Sequence, residues 1–277
     1  MRTRSRKVFE HPFFPLAIWA LHLGLLGAVV AVVDYVPGER IASLLKDTIP
    51  WTLRANLLLL LLSIVPCRRD IAGAFHALPR RQLAALAVLG IAALMLTALA
   101  APRTHRIYFD EDIYANIGQT MAGADQAGLC NYGTFEYGEY QPHRVSYNKQ
   151  PSGWPFLISL AFQLLGTREL HAFLLNNLLF AGSVLLVFFL GRELTGSGFA
   201  AGTAALVYAL TPHNIQWFNT ASAEPSAAFF AGSSVLALLV YLRTKETRHL
   251  LVWTALLTLP CQMRPEAVLL IPWTAAT

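Results

Sequence analysis

Residues 83–101 read LAALAVLGIAALMLTALAA, an apolar run without one charged side chain. A helix needs about 20 mainly apolar residues to cross the hydrocarbon core of a bilayer, so this stretch is read as a membrane span. It has companions. Phe14–Val33, Pro50–Val65, His171–Leu190, Phe199–Leu210 with its flanks, and Ser226–Leu242 have the same character. A further apolar run from Leu250 towards Ile271 is interrupted by Pro260, Arg264, Pro265 and Glu266. The whole composition agrees: of 277 residues 55% are hydrophobic and 13% charged, against about 25% charged in soluble domains. Such a chain is neither a soluble globular domain nor disordered. The expected fold class is all-α, a polytopic transmembrane helical bundle with a large outer loop that contains amphipathic juxtamembrane helices.

The charges then report topology. The net charge of +5 gives no case for nucleic acid, because in a membrane protein the placement of Lys and Arg matters more than their sum. Arg2, Arg4, Arg6 and Lys7 put the N-terminus in the cytoplasm. Alternation from there keeps Arg68, Arg69, Arg80 and Arg81 inside and places Pro102–Gln150 outside. Trp154–Gly166 is too short to span and suits an interfacial helix. With that assignment Arg192, Arg243, Lys245 and Arg248 are all cytoplasmic. The expected location is a plasma (inner) membrane, multi-pass, with residues 1–82 forming two leading helices and a cytoplasmic loop. Residues 83–277 form the core, with an outer loop at 102–170. The three cysteines, Cys67, Cys130 and Cys261, are odd in number and far apart, without metal-ligand spacing; they are expected to be buried, inert thiols.

The outer loop holds six of the sixteen acids (Asp110, Glu111, Asp112, Asp125, Glu136, Glu139) and is dense in Tyr. Ile113, Ile117 and Met121 recur at helical spacing beside Tyr114, which predicts an amphipathic helix at the outer interface. Asp110 at its start is either an N-cap or a carboxylate whose desolvation above the hydrocarbon makes it a base. Tyr132, Phe135, Tyr137, Tyr140, Tyr147 and Trp154 suit an aromatic belt or a sugar-stacking surface equally. Arg144 and Lys149 lie at phosphate-headgroup depth near these acids. His143 has no second histidine at ligand spacing, so no metal site follows from it.

The acid at a helix start, DEDIYANI with Asp110, Glu111 and Tyr114, followed by the K-Q-P-S-G-W-P element at Lys149–Pro155, resembles the GT-C superfamily of polytopic glycosyltransferases. The likeness is to the ArnT-like, RgtA-like and dolichyl-phosphate-mannose protein mannosyltransferase-like group. It runs from about Leu83 to the end and includes a further outer acid, Glu224 in NTASAEPSAAFF. Many relatives read E-K-P-P or H-K-P-P where this chain has Asn148-Lys149-Gln150-Pro151. Relatives also run well beyond 277 residues, so the chain is expected to be an N-terminal portion.

The resemblance implies transfer of a sugar from a polyprenyl-phosphate-linked donor to a glycan, lipid or protein acceptor on the outer face of the membrane, with inversion, in glycosylation of the cell envelope. Asp110 would be the general base, with Glu111 orienting it or a metal. Tyr114, Arg144, Lys149, Glu224 and Arg264 would bind substrate, the cations neutralising the phosphate leaving group. The resemblance fixes no cofactor and leaves a divalent metal ion open. Arg264 within an apolar run must face protein or water, as an Arg–Glu pair at the proline break or as a cation beneath the carrier phosphate. Two other classes remain in view: a lipid or amphiphile transporter or flippase, and a non-catalytic membrane assembly subunit. The first predicts ionisable residues and broken helices at the midplane, the second indifference to loss of Asp110.

Overall fold

The computed structural model describes residues 35–105 and 108–271. The predicted span Phe14–Val33 and the basic residues Arg2, Arg4, Arg6 and Lys7 lie outside them. By internal contacts the chain divides into Met1–Leu45 and Lys46–Thr277. Of the first unit, the described part is Tyr35–Leu45, which includes the opening turns of a helix, α1 (Gly38–Ile64). The second unit carries the remaining elements. A 3-10 turn at Val65–Cys67 leads into α2 (Arg68–His76), then come α3 (Arg80–Met95) and α4 (Tyr108–Ala124). A hairpin follows, β1 (Gly128–Glu136) and β2 (Glu139–Tyr147). The chain continues through α5 (Gly153–Leu165), α6 (Leu170–Thr195), α7 (Gly198–Leu210), α8 (Pro212–Trp217), α9 (Glu224–Thr244) and α10 (Thr247–Met263), and a 3-10 turn at Pro265–Leu269.

The protein is predominantly helical, as the composition predicts. Among the described residues four helical stretches are long and apolar enough to cross a membrane: Gly38–His76, Arg80–Ala100, Leu170–Thr195 and Glu224–Thr244. They contain four of the spans read from the sequence. Phe199–Leu210 falls in the shorter apolar helix α7 and Trp154–Gly166 in α5. The seventh run is not one helix: α10 stops at Met263, and Arg264 takes an extended backbone before the next turn.

Local chemistry sets the boundaries. α6 ends at Gly196, whose φ of 67° closes the helix with a backbone N–H donated to Arg192, a left-handed cap that costs glycine little. Ser197 then caps α7 by accepting from the Ala200 amide at 3.2 Å. The sequence reading has no strands, yet the outer loop contains an antiparallel hairpin. Its turn is Tyr137-Gly138, with φ of 53° and 86° between the paired Glu136 and Glu139, the backbone sense that matches strand twist in two-residue turns.

Three apolar clusters hold the second unit together. One joins α3, α6 and α7 through Leu86, Ala93, Phe180, Val184, Phe188 and the alanine stripe Ala201, Ala205, Ala209. Small residues let these backbones approach: a Cβ on Gly191 would stand 3.0 Å from Ala201 Cα. The other two clusters divide the apolar face of α4, Tyr114 packing with Trp154, Ile158 and Phe173, and Ile113, Ile117 and Met121 with Leu53 and Phe156. That face is therefore filled by protein, not laid on lipid as the amphipathic pattern suggested. A Cβ on Gly118 would lie 2.8 Å from Ile158, a measure of how closely α4 and α5 cross.

Contacts between turns sort the connections into two groups. Gln82 meets Gly198, Arg243 pairs with Glu193 at 2.5 Å, and Arg248 with Asp70 at 3.2 Å. The turns assigned to the cytoplasm thus share one end of the bundle. At the other end Asn219 donates to Ala101 at 2.8 Å, Trp154 to Ala221 at 2.7 Å, and Arg264 pairs with Glu224 at 3.2 Å.

Candidate active site

This second end assembles a cluster of ionisable groups from segments far apart in the chain. Asp110 lies in the first turn of α4, inside the helix and not at the cap position that the sequence left open. Tyr114 follows one turn later on the same face. Glu224 is the first residue of α9, where Pro225 starts the helix. Arg264 terminates α10. Its guanidinium bridges Glu224 at 3.2 Å and Glu266 at 3.4 Å. Arg264 therefore stands where α10 ends, beside two acids, the kind of partner that a cation in an apolar run requires.

Half-buried Asp110 accepts a hydrogen bond from Gln150 Nε2 at 3.2 Å. The N-K-Q-P element thus reaches the acid of the D-E-D motif through its glutamine. The Tyr114 hydroxyl titrates above its ordinary range because it is buried and faces the negative charges of Asp110 and Glu224, with Arg264 opposing them. One Glu224 oxygen, Oε2, is buried without a hydrogen-bond partner. A buried acceptor left in that state is a place for a donor, such as a substrate hydroxyl.

Glu111 stands apart from this group in its bonding. It is completely buried, accepts the Ala221 amide at 2.8 Å and faces His105 Nδ1 at 3.1 Å. The other nitrogen of His105 meets Glu169. The segment Phe218–Ala223 is clamped from every side. Asn176 donates to the carbonyls of Thr220 and Ser222, Asn177 to Phe218 and Asn219, and Trp154 to Ala221. This segment sets the start of α9 and hence Glu224. Sequence reasoning missed the clamp. Its signal was two adjacent amides, Asn176-Asn177, inside an apolar helix, a placement that polar groups in membranes take when they bind neighbouring backbone.

Arg144 and Lys149 do not join the cluster by ion pairs among the described residues. Arg144 is exposed on β2 opposite Tyr132. Lys149 borders a hollow of about 310 Å³ with Gln150, Ser152, Gln262 and Pro265. A second, open hollow of about 630 Å³ runs from Arg264 and Glu266 along Ala227, Ala228, Ala231, Leu269 and Leu270. It is charged at one end and apolar along its length. Among the described residues two groups of side chains are close enough to hold a metal ion, His105–Asp112–Glu169 at this end and Cys67–Asp70–His249 at the other.

The family model of the dolichyl-phosphate-mannose-protein mannosyltransferases matches residues 149–276. Gln150, Trp154, Glu224, Arg264 and Glu266 fall inside the match, while Asp110, Glu111 and Tyr114 precede it. Comparison with curated proteins and with solved structures gives no match. Residues 149–276, a little under half of the chain, are thus similar to the dolichyl-phosphate-mannose-protein mannosyltransferases, in a chain whose described residues include membrane-length helices.

Proposed function

We propose that the protein transfers a sugar from a polyprenyl-phosphate-linked donor to a hydroxyl of a glycan, lipid or protein acceptor at the outer face of the membrane, with inversion. The observation that carries this is the meeting of Asp110, Tyr114, Glu224 and Arg264 from three distant segments at one end of the bundle, next to a hollow with Arg264 and Glu266 at its mouth and an apolar wall. The wall suits an isoprenoid tail and Arg264 its phosphate, so the carrier stays in lipid while its sugar reaches Asp110. The acceptor oxygen attacks the anomeric carbon, its proton passes to the Asp110 carboxylate, and the carbon–oxygen bond to phosphate breaks with its electron pair on polyprenyl phosphate. Arg264 and Lys149 offset the charge that grows on the leaving phosphate. Glu224, held by Arg264, accepts from a sugar or acceptor hydroxyl.

The test is direct. The chain in lipid, given polyprenyl-phosphate sugars with the sugar radiolabelled, should pass label to a hydroxyl acceptor; retention of all label on the carrier overturns the proposal. The outer location has its own test. Single cysteines at positions 137 and 195 in a cysteine-free background should react with an impermeant thiol reagent in intact cells at 137 and not at 195. The reverse pattern inverts the orientation.

A further inference from the structure

At the opposite end of the bundle from Asp110, three side chains of different chemistry converge. Cys67 closes the 3-10 turn before α2, Asp70 lies in the first turn of α2, and His249 in the first turn of α10. One ligand atom from each lies within 4.8 Å of the other two. Cys67 and His249 are buried, at 3% and 6% exposure.

Hydrogen bonds orient the imidazole. The Thr244 hydroxyl lies 2.9 Å from the Val240 carbonyl and 2.7 Å from His249 Nδ1. With Thr244 donating to Val240, Nδ1 carries the ring proton and Nε2 turns its lone pair to Asp70 Oδ2 at 3.1 Å. In that tautomer the ring nitrogen, the carboxylate and the Cys67 sulfur present three donor atoms to one point, as a metal ion requires.

We propose that Cys67 Sγ, Asp70 and His249 Nε2 bind a zinc ion that ties α10 to the turn before α2. Sulfur, nitrogen and oxygen ligands, the first two buried and Asp70 exposed, suit tetrahedral zinc over the harder divalent ions. In tetrahedral zinc a nitrogen and an oxygen ligand stand about 3.3 Å apart, close to the 3.1 Å between His249 and Asp70. Thr244 holds the far ring nitrogen, the usual way a histidine ligand is oriented. The charges close: zinc with thiolate and carboxylate is neutral, and Arg248, 3.2 Å from Asp70, is balanced by Glu246 at 2.6 Å. Binding deprotonates the thiol and releases its proton to water. In the orientation proposed above the site faces the cytoplasm, where cysteine stays reduced.

The full chain, purified in detergent, stripped with a chelator and reloaded, should take up zinc tightly, and cobalt in its place should give a thiolate-to-metal charge-transfer band. Cys67→Ser should abolish that band, while Cys130→Ser and Cys261→Ser keep it. Thr244→Val leaves every ligand in place and should weaken zinc affinity by about 10- to 100-fold; this variant carries the test should Cys67→Ser fail to fold. Lack of tight uptake, a cobalt spectrum without a thiolate band, or a band that survives Cys67→Ser overturns the site. The first of these leaves a proton-bridged Asp70–His249 pair, and the second moves the metal to a nitrogen and oxygen set such as His105–Asp112–Glu169.

Discussion

Asp110→Asn is expected to lower the transfer rate on the order of 10²- to 10⁴-fold with insertion and thermal stability close to wild type, because an amide of the same shape cannot take the acceptor proton. The structure makes the comparison clean. Asparagine keeps a carbonyl oxygen in the place of Oδ1, so the bond from Gln150 Nε2, at 3.2 Å in the parent, persists. Asparagine is also as good as aspartate at a helix start, so a residue that served only to begin α4 would tolerate the change without loss of rate. Asp110 lies within the first turn of a helix that begins at Tyr108. Its contribution through the helix dipole is thus a few tenths of a kcal/mol to about 1 kcal/mol, far less than the barrier change expected. The readout is single-turnover transfer of radiolabelled sugar from polyprenyl phosphate by protein of matched abundance. Equal rates for parent and variant would remove Asp110 from the chemistry and leave the transferase assignment to be carried by another base.

How much of this could be read from the sequence differs by element. The spans were legible because hydrophobic length is a one-dimensional property, and α4 was legible because Ile113, Ile117 and Met121 repeat at helical spacing. What covers their face was not: burial by Leu53 and Phe156 is a long-range fact, and the same period serves lipid or protein. The hairpin was missed although Tyr137-Gly138 occupies a two-residue turn, since the strands carry aromatics that also mark a membrane interface. Arg264 was read correctly as needing a partner, but its place at the end of α10 depends on where the helix stops, which Pro260 alone does not fix: that proline sits inside the helix. Cys67 was legible only as a thiol without neighbours at ligand spacing; its closeness to His249 arises because α2 and α10 meet, with Asp70 and His249 separated by 179 positions.

Glu111→Ala is expected to cost about 3 kcal/mol of stability or more, because it removes one member of a buried polar network and strands the others. The lost carboxylate accepts the Ala221 amide at 2.8 Å and faces His105 at 3.1 Å, and no water reaches a side chain that is fully buried. Glu111→Gln keeps one carbonyl acceptor for the Ala221 amide and should lose about half as much. The effect on transfer follows from geometry. Ala221 belongs to the clamped segment that delivers Glu224 to Arg264, and a shift of that segment displaces Glu224 from Asp110 and Tyr114. A positioning role therefore predicts a fall in thermal midpoint and in transfer together, graded Ala worse than Gln, with the pH dependence of the residual activity unchanged. A role for Glu111 in the proton transfer itself predicts the opposite split: Gln as inactive as Ala, at a thermal midpoint near the parent's. The buried contacts of Glu111 favour the first pattern, and thermal unfolding measured beside single-turnover transfer on both variants decides between them.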